Sequence, residues 1–351
     1  MSTSHSDQAS LMTASIAPSD KATEPVRSFI FDALALPYVL EEEYATRYLA
    51  AGVNAVQLAV ATDHDWEATL RGFDEANAKI ERSPLLRLAK NASTARAAQT
   101  DGRLAVFLGT QGAGMIGPNL YRVSILKRLG LSCLGLCYTE ANMFCDGCGE
   151  RRNGGLTFLG QELIAAVNEC GLILDLSHAS HRARLEAAQL ARAPVCTHAN
   201  SYSVTRNDRN VDDAAASIIA QKGGVIGVTA LPRAVRAQDP KAEDLLEHIA
   251  HFSDTIGIDR VGLGLDFSEW YKSTKFMPEV SVRWRTLRPD IFGTVDDYWN
   301  SDFPAGIRTI DDLPNLIRVL SSSGIFASNL RLLLGENWLN SIERFLQVDD
   351  V

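Results

Sequence analysis

Eight short apolar runs recur along the chain, and segments with helical spacing lie between them. The runs are Ser28–Leu34, Val53–Ala61, and stretches that open at Arg103, Leu131, Gly171, Ala193, Gly223 and Asp259. Most are continuously apolar rather than alternating, which is how strands covered on both faces read. Between them, Leu40, Tyr44, Tyr48 and Ala51 repeat at helical spacing, with Gly52 placed to end that helix. Trp66, Leu70, Phe73 and Ile80 form a second stripe, stopped by Pro84. Leu159, Leu163, Ala166 and Cys170 form a third, stopped by Gly171. Ser180 is placed as the N-cap of HRARLEAAQLA, and Trp338, Leu339, Ile342, Phe345 and Leu346 line a final helix.

Eight strands alternating with helices predict an α/β fold, a (β/α)8 TIM-type barrel. A doubly wound open sheet is the competing architecture. It calls for a glycine-rich phosphate turn after the first strand, where FDALALPY has no glycine. Residues 26–351 read as one barrel domain, because no linker interrupts them. The stretch Ser268–Arg308 is aromatic-rich and lacks a clear period; after the eighth strand it would overhang the barrel mouth as a lid or substrate wall. Residues 1–25 are rich in Ser, Thr, Ala and Asp and read as a disordered tail. They lack the cationic start and apolar core of a signal peptide, so a cytoplasmic location is expected.

Composition narrows the functional classes. The chain has 351 residues, 46% hydrophobic and 22% charged, with a formal net charge of −9. That charge, without a basic cluster, argues against nucleic acid and anionic membranes as partners. No apolar run is long enough to span a bilayer. Six cysteines are too few for a disulfide scaffold, and most lie in apolar runs as reduced core thiols (Cys133, Cys137, Cys170, Cys196). Cys145 and Cys148 form a lone CxxC with no second pair, which reads as a loop with two thiols rather than a zinc knuckle.

Candidate chemistry falls where barrel active sites lie, at the C-terminal ends of strands. Gln111, His178, His198 and Asp266 each close an apolar run. The fifth and sixth strands bring His178 and His198 side by side. Two imidazoles with a nearby carboxylate make a minimal zinc or iron constellation. His181 reads as a first-turn helix residue. His64, His248 and His251 read as solvated, and His5 belongs to the tail. Arg209 lies in a polar loop after strand six. It is either a carboxylate-gripping guanidinium, a solvated side chain, or a partner of Asp208 or Asp212.

The ordered strings DLSHAS, THANSYSV, RNDRNVDD, VGLGLDF and GENWLNSIERF resemble the membrane (renal) dipeptidase family of metallopeptidases, from about Ser28 to Leu346. The resemblance implies a (β/α)8 barrel of the amidohydrolase type, a binuclear zinc site and cleavage of dipeptides by members that often dimerise. It places the family's fifth- and sixth-strand histidine ligands on His178 and His198. The substrate-carboxylate arginine falls on Arg209 and the proton-handling aspartate on Asp266.

The departures from the family pattern are specific. Its first strand ends in DGHxD; here the string is DALAL, with Leu34 and Leu36 at the two ligand positions. The bridging glutamate falls on Gln111, and a substrate-polarising histidine falls on Tyr138. This resembles a divergent bacterial branch of small dipeptidase-like proteins. A leucine offers no lone pair, and glutamine offers a neutral oxygen, so a second divalent charge would be uncompensated. One Zn2+ or other divalent ion is therefore expected, on His178 and His198, with Gln111, Asp266 or water completing the set. Tyr138 is placed to donate to an oxyanion or to bind substrate. The leading expectation is a metal-dependent hydrolase of a dipeptide or small carboxylate-bearing amide, with Asp266 and Tyr138 catalytic and Arg209 binding substrate. The alternatives are a non-hydrolytic lyase, isomerase or tailoring enzyme on the same scaffold, or a catalytically inactive binding protein.

Overall fold

The computed structural model describes residues 28–63, 65–300, 303–324 and 327–346. The expected tail over residues 1–25, His5 and His64 lie outside the described residues. The strands are β1 (Phe31–Ala35), β2 (Ala55–Ala61), β3 (Leu86–Leu88), β4 (Leu104–Thr110), β5 (Leu131–Gly135), β6 (Ile173–Asp175), β7 (Pro194–Val195), β8 (Ile226–Val228) and β9 (Val261–Leu263). They pair in parallel in the order β7-β6-β5-β4-β2-β1-β9-β8. A parallel bridge between Cys196 and Ile226 joins β7 to β8, with the Gly227 amide donating to the Cys196 carbonyl at 2.8 Å. Eight strands thus close into the expected (β/α)8 barrel. The ninth, β3, pairs with β4 off the ring. The eight-run expectation is corrected here: LRL is too short to read as a strand and is held by a neighbour rather than by its own pattern.

Successive side chains point to opposite faces of each strand, and because both faces are buried the strands are apolar throughout. Phe31, Phe107, Cys133, Ile173 and Val195 belong to an inner cluster, where Phe31 packs against Phe107 and Trp338 with ring centroids 5.6 and 5.9 Å apart. Val56, Leu58, Val106, Leu108 and Leu174 face the surrounding helices. Trp338 lies in the terminal helix Asn337–Phe345, and its indole N–H donates to the Leu263 carbonyl at 3.0 Å. The GENW string therefore ties that helix to the barrel rather than serving its mouth.

Helix boundaries follow local signals. Gly52 (φ +90°) follows the helix Glu42–Ala50, and Gly171 (φ +62°) follows Phe158–Glu169. The Ser180 hydroxyl accepts from the Ala183 amide, capping His181–Leu190. Among its described residues the Ser268–Arg308 stretch, expected to be aperiodic, carries four short helices: Glu269–Ser273, Glu279–Leu287, Pro289–Phe292 and Val295–Asn300. Three of them run only four to six residues, and Glu279–Leu287 buries Trp284 alone, so none carries a periodic apolar face. No helix among the described residues is long and apolar enough to cross a membrane.

Candidate active site

The polar rim forms just past the strand ends. Gln111 directly follows β4, while His178, His198 and Asp266 stand in the loops after β6, β7 and β9. Two glycines set the spacing. A Cβ at Gly135 would overlap the Gln111 backbone, and one at Gly264 would overlap the Thr197 carbonyl. Side chains at either position would push the rim residues apart.

The two imidazoles meet. His178 Nε2 lies 3.1 Å from His198 Nε2 and 3.0 Å from Gln111 Oε1. Each Nδ1 is held by a threonine hydroxyl: Thr139 at 3.2 Å for His178 and Thr197 at 2.6 Å for His198. The Thr197 hydroxyl donates to Asp175 Oδ2 at 2.7 Å, so it accepts from His198 Nδ1–H and leaves His198 Nε2 a free lone pair. Asp175 Oδ1 also accepts from the Ser177 hydroxyl at 2.6 Å and from the Thr197 amide at 2.9 Å. Burial first, and then the Arg209 charge, hold both imidazoles well below the usual histidine range, so they are neutral near pH 7.

A cavity opens onto Gln111, Tyr138, Thr139, His178, Arg209 and Asp266, with Leu36 on the β1 side. His198 is fully buried and does not line it. Arg209 is 1% exposed. Its Nη1 donates to the Ser177 carbonyl, and its Nη2 is buried with no partner. Asp208 pairs instead with His181 and Arg288, and Asp212 with His181. Of the readings held open for Arg209, neither the solvated one nor the local ion pair describes it.

Burial pushes the Asp266 carboxyl up to about 7, opposed by Arg209. The Tyr138 ring lies beside that of His178, tilted by 46° with centroids 4.5 Å apart, and its amide donates to Asp63 Oδ2 at 2.9 Å. Burial, with Asp266 next, holds its phenol protonated. Both Thr139 (φ +63°) and Asp266 (φ +58°) adopt left-handed backbone, which is an outlier for a β-branched threonine. Strain of this kind concentrates at functional sites.

Some expectations need correcting. Among the described residues no group of three or more His, Cys, Asp or Glu could hold a metal ion. Asp266 therefore does not join His178 and His198 as a ligand cluster; the charge acting most strongly on it is Arg209. His248 is buried, not solvated: its Nδ1 accepts from the Ser201 amide at 3.1 Å and its Nε2 donates to the Val235 carbonyl at 2.9 Å. His251 lies 2.7 Å from Asp213. His181 opens its helix as expected, and Cys145 and Cys148 are buried free thiols. Thr139, Thr197 and Asp175 were not singled out from sequence, although Thr197 sits within the THAN string.

Fold and rim together define a (β/α)8-barrel protein whose polar groups gather at the C-terminal ends of the strands. The family model for membrane dipeptidase (peptidase family M19) matches residues 34–281, and the chain belongs to that family. Among curated relatives, the dipeptidase verJ of Clonostachys rogersoniana is 29% identical over 218 residues, covering 61% of this chain and 56% of that protein. The dipeptidase tcpJ of Claviceps purpurea is 26% identical over 255 residues, covering 71% and 52%. The chain thus spans about half the length of these relatives. A crystal structure of an amidohydrolase from Pseudomonas aeruginosa superposes with a TM-score of 0.78 at 25% identity, covering 91% of this chain and 96% of that one. The fold is also that of a metallopeptidase from Rhodobacter sphaeroides, solved with a phosphinate mimic of L-Ala-D-Ala (TM-score 0.72, 21% identity, covering 91% and 99%).

The family implies a divalent metal. At β1 the donor set does not fit one: Leu34 is buried and, like Leu36, has no lone pair. At β6 and β7 it fits one ion. Tetrahedral zinc with bonds of about 2.0–2.1 Å sets its ligand atoms roughly 3.3–3.4 Å apart. The Nε2–Nε2 and Nε2–Oε1 separations of 3.1 and 3.0 Å are a few tenths of an ångström shorter, so the side chains would spread slightly to admit an ion. Metal-bound histidines normally donate their other ring N–H to a carboxylate, a carbonyl or water; here a threonine hydroxyl takes that place on each Nδ1, backed by Asp175 on the His198 side.

Proposed function

We propose that the protein is a hydrolase of a dipeptide or a small carboxylate-bearing amide, working with one divalent ion, most simply zinc. Nε2 of His178, Nε2 of His198 and Oε1 of Gln111 would hold that ion. The chemistry it supplies is Lewis acidity toward an amide carbonyl and a water molecule. The observation that carries this reading is the 3.1 Å approach of two neutral imidazole Nε2 atoms, each oriented by a hydroxyl on its far side.

The protein's own groups account for the rest. The unpartnered Arg209 Nη2 offers a donor to a terminal carboxylate, and burial strengthens that contact. Asp266, with its carboxyl at about 7, takes a proton from the attacking water and returns it to the leaving amine. The Tyr138 phenol stays protonated and donates to the oxygen that gains charge. Treating the zinc-loaded full chain with a chelator, against a panel of dipeptides, is expected to abolish turnover, and re-addition of zinc to restore it.

A second reading rests on one observation. With the Nε2 proton on His178, the run Asp175–Thr197–His198–His178–Thr139 is a complete hydrogen-bond chain without an ion. That arrangement suits non-hydrolytic proton-transfer chemistry on the same pocket, and a chelator-resistant activity would select it.

A further inference from the structure

The chain carries −9 overall, yet the charged groups lining the cavity are two guanidiniums, Arg209 and Arg285, and one carboxylate, Asp266. Arg285 comes from the helix Glu279–Leu287, in the segment that walls the mouth. The neighbouring arginines of that segment have carboxylates: Arg283 lies 2.8 Å from Glu140, and Arg288 lies 2.8 Å from Asp208 and 2.7 Å from Asp290. Arg285 has none among the described residues. Its Nη1 donates to the Phe292 carbonyl, and its guanidinium lies 4.7 Å from the centroid of the Tyr298 ring. These contacts fix the planar group by one N–H and one face, and they neutralise no charge. The carboxylate that acts on it, Asp297, is held by Arg233 at 2.9 Å, so the half-buried guanidinium has no carboxylate of its own at ion-pair distance among the described residues, a costly arrangement.

Arg285 also stands at a junction. A second cavity shares Leu231, Ser268, Arg285, Phe292 and Tyr298 with the first. The phenol of Tyr138 lies within electrostatic reach of both Arg209 and Arg285. The two arginines therefore flank the same reacting region from different elements, Arg209 from the loop after β7 and Arg285 from the wall segment.

We propose that Arg285 is a second anion-binding group, so that the substrate carries two anionic groups: the terminal carboxylate at Arg209 and a side-chain carboxylate at Arg285. This deepens the hydrolase reading, on which the placement of the first carboxylate rests. Arg285 is then a specificity-determining residue, selecting acidic over neutral substrates of the same shape.

The test uses binding, separately from turnover. In the full-length Asp266→Asn variant, calorimetry compares L-aspartyl-L-alanine with L-asparaginyl-L-alanine, and L-alanyl-L-aspartate with L-alanyl-L-asparagine. In at least one pair the acidic member is expected to bind about tenfold tighter, the scale of one charge-assisted hydrogen bond. Adding Arg285→Gln should bring that ratio to about one, whereas Arg285→Lys, which keeps the charge, should retain most of it. Equal affinities in both pairs with Arg285 intact, a preference that survives Arg285→Gln, or no binding of any of the four would overturn the proposal. Turnover of the same peptides by the unaltered protein separates the two claims. Cleavage without acidic preference leaves the hydrolase reading standing and removes this one; acidic preference in binding without cleavage does the reverse.

Discussion

Two strand-borne aspartates, Asp32 on β1 and Asp175 on β6, perform the same structural task with different outcomes. Asp175 has both oxygens engaged, by Ser177 and Thr197, and through Thr197 it orients His198. Asp32 Oδ1 accepts from the amides of Leu265 at 2.7 Å and Leu34 at 3.3 Å, but its Oδ2 is buried with no partner. Burial pushes its carboxyl up to about 7, with the Asp266 charge adding to that. On one side of the barrel mouth the clamp still serves an imidazole. On the other it ties β1 to the loop carrying Asp266, while the positions beside it are leucines. The contrast teaches that a strand-end aspartate can hold strands and loops together whether or not the residues beside it offer a lone pair.

The difference can be probed from both sides. Replacing a ligand on the intact side has the largest effect: His178→Ala should reduce turnover at least about a thousandfold, measured as kcat/KM, and abolish zinc retention on gel filtration. Next comes the outer partner. Thr197→Val removes the hydroxyl that fixes the His198 tautomer and should cost roughly tenfold to a hundredfold in zinc affinity or kcat/KM. A Thr197→Val protein with unchanged zinc affinity and kcat/KM would show that the Asp175–Thr197 arm only packs.

The smallest effect belongs to β1 and appears in stability. Asp32 has its pKa raised from 3.8 to about 7, so the folded state holds a proton that the unfolded chain releases. Its stabilising contribution is present below about pH 4 and is lost as pH rises to about 7. Asp32→Asn cannot ionise. Its melting temperature relative to the unaltered protein should therefore climb between pH 4 and pH 7 and level off above. A flat difference across that range would place the Asp32 carboxyl in an ordinary environment.

Much of this architecture is legible in the chain itself. The barrel strands read as continuous apolar runs because helices and the inner cluster cover both faces. Gln111, His178, His198 and Asp266 stand out because each polar residue ends such a run. The losses have physical causes. β3 is three residues long and depends on β4 for its pairing. His248 sits in a helix that reads as half-exposed, yet its two ring nitrogens bridge Ser201 and Val235 across a buried contact. Thr139, Thr197 and Asp175 act through hydroxyl and carboxylate geometry that no spacing rule marks. Arg285 becomes visible only when the wall segment folds over the mouth, because its lack of a carboxylate partner is a property of three dimensions.

The account depends most on a rim that holds one ion between His178 and His198 and none beside Leu34 and Leu36. Elemental analysis of the full chain, equilibrated with zinc and desalted, measures this directly. About one zinc per chain, falling to none in His178→Ala, is the predicted result. Two zinc ions per chain, or one that survives His178→Ala, would contradict it.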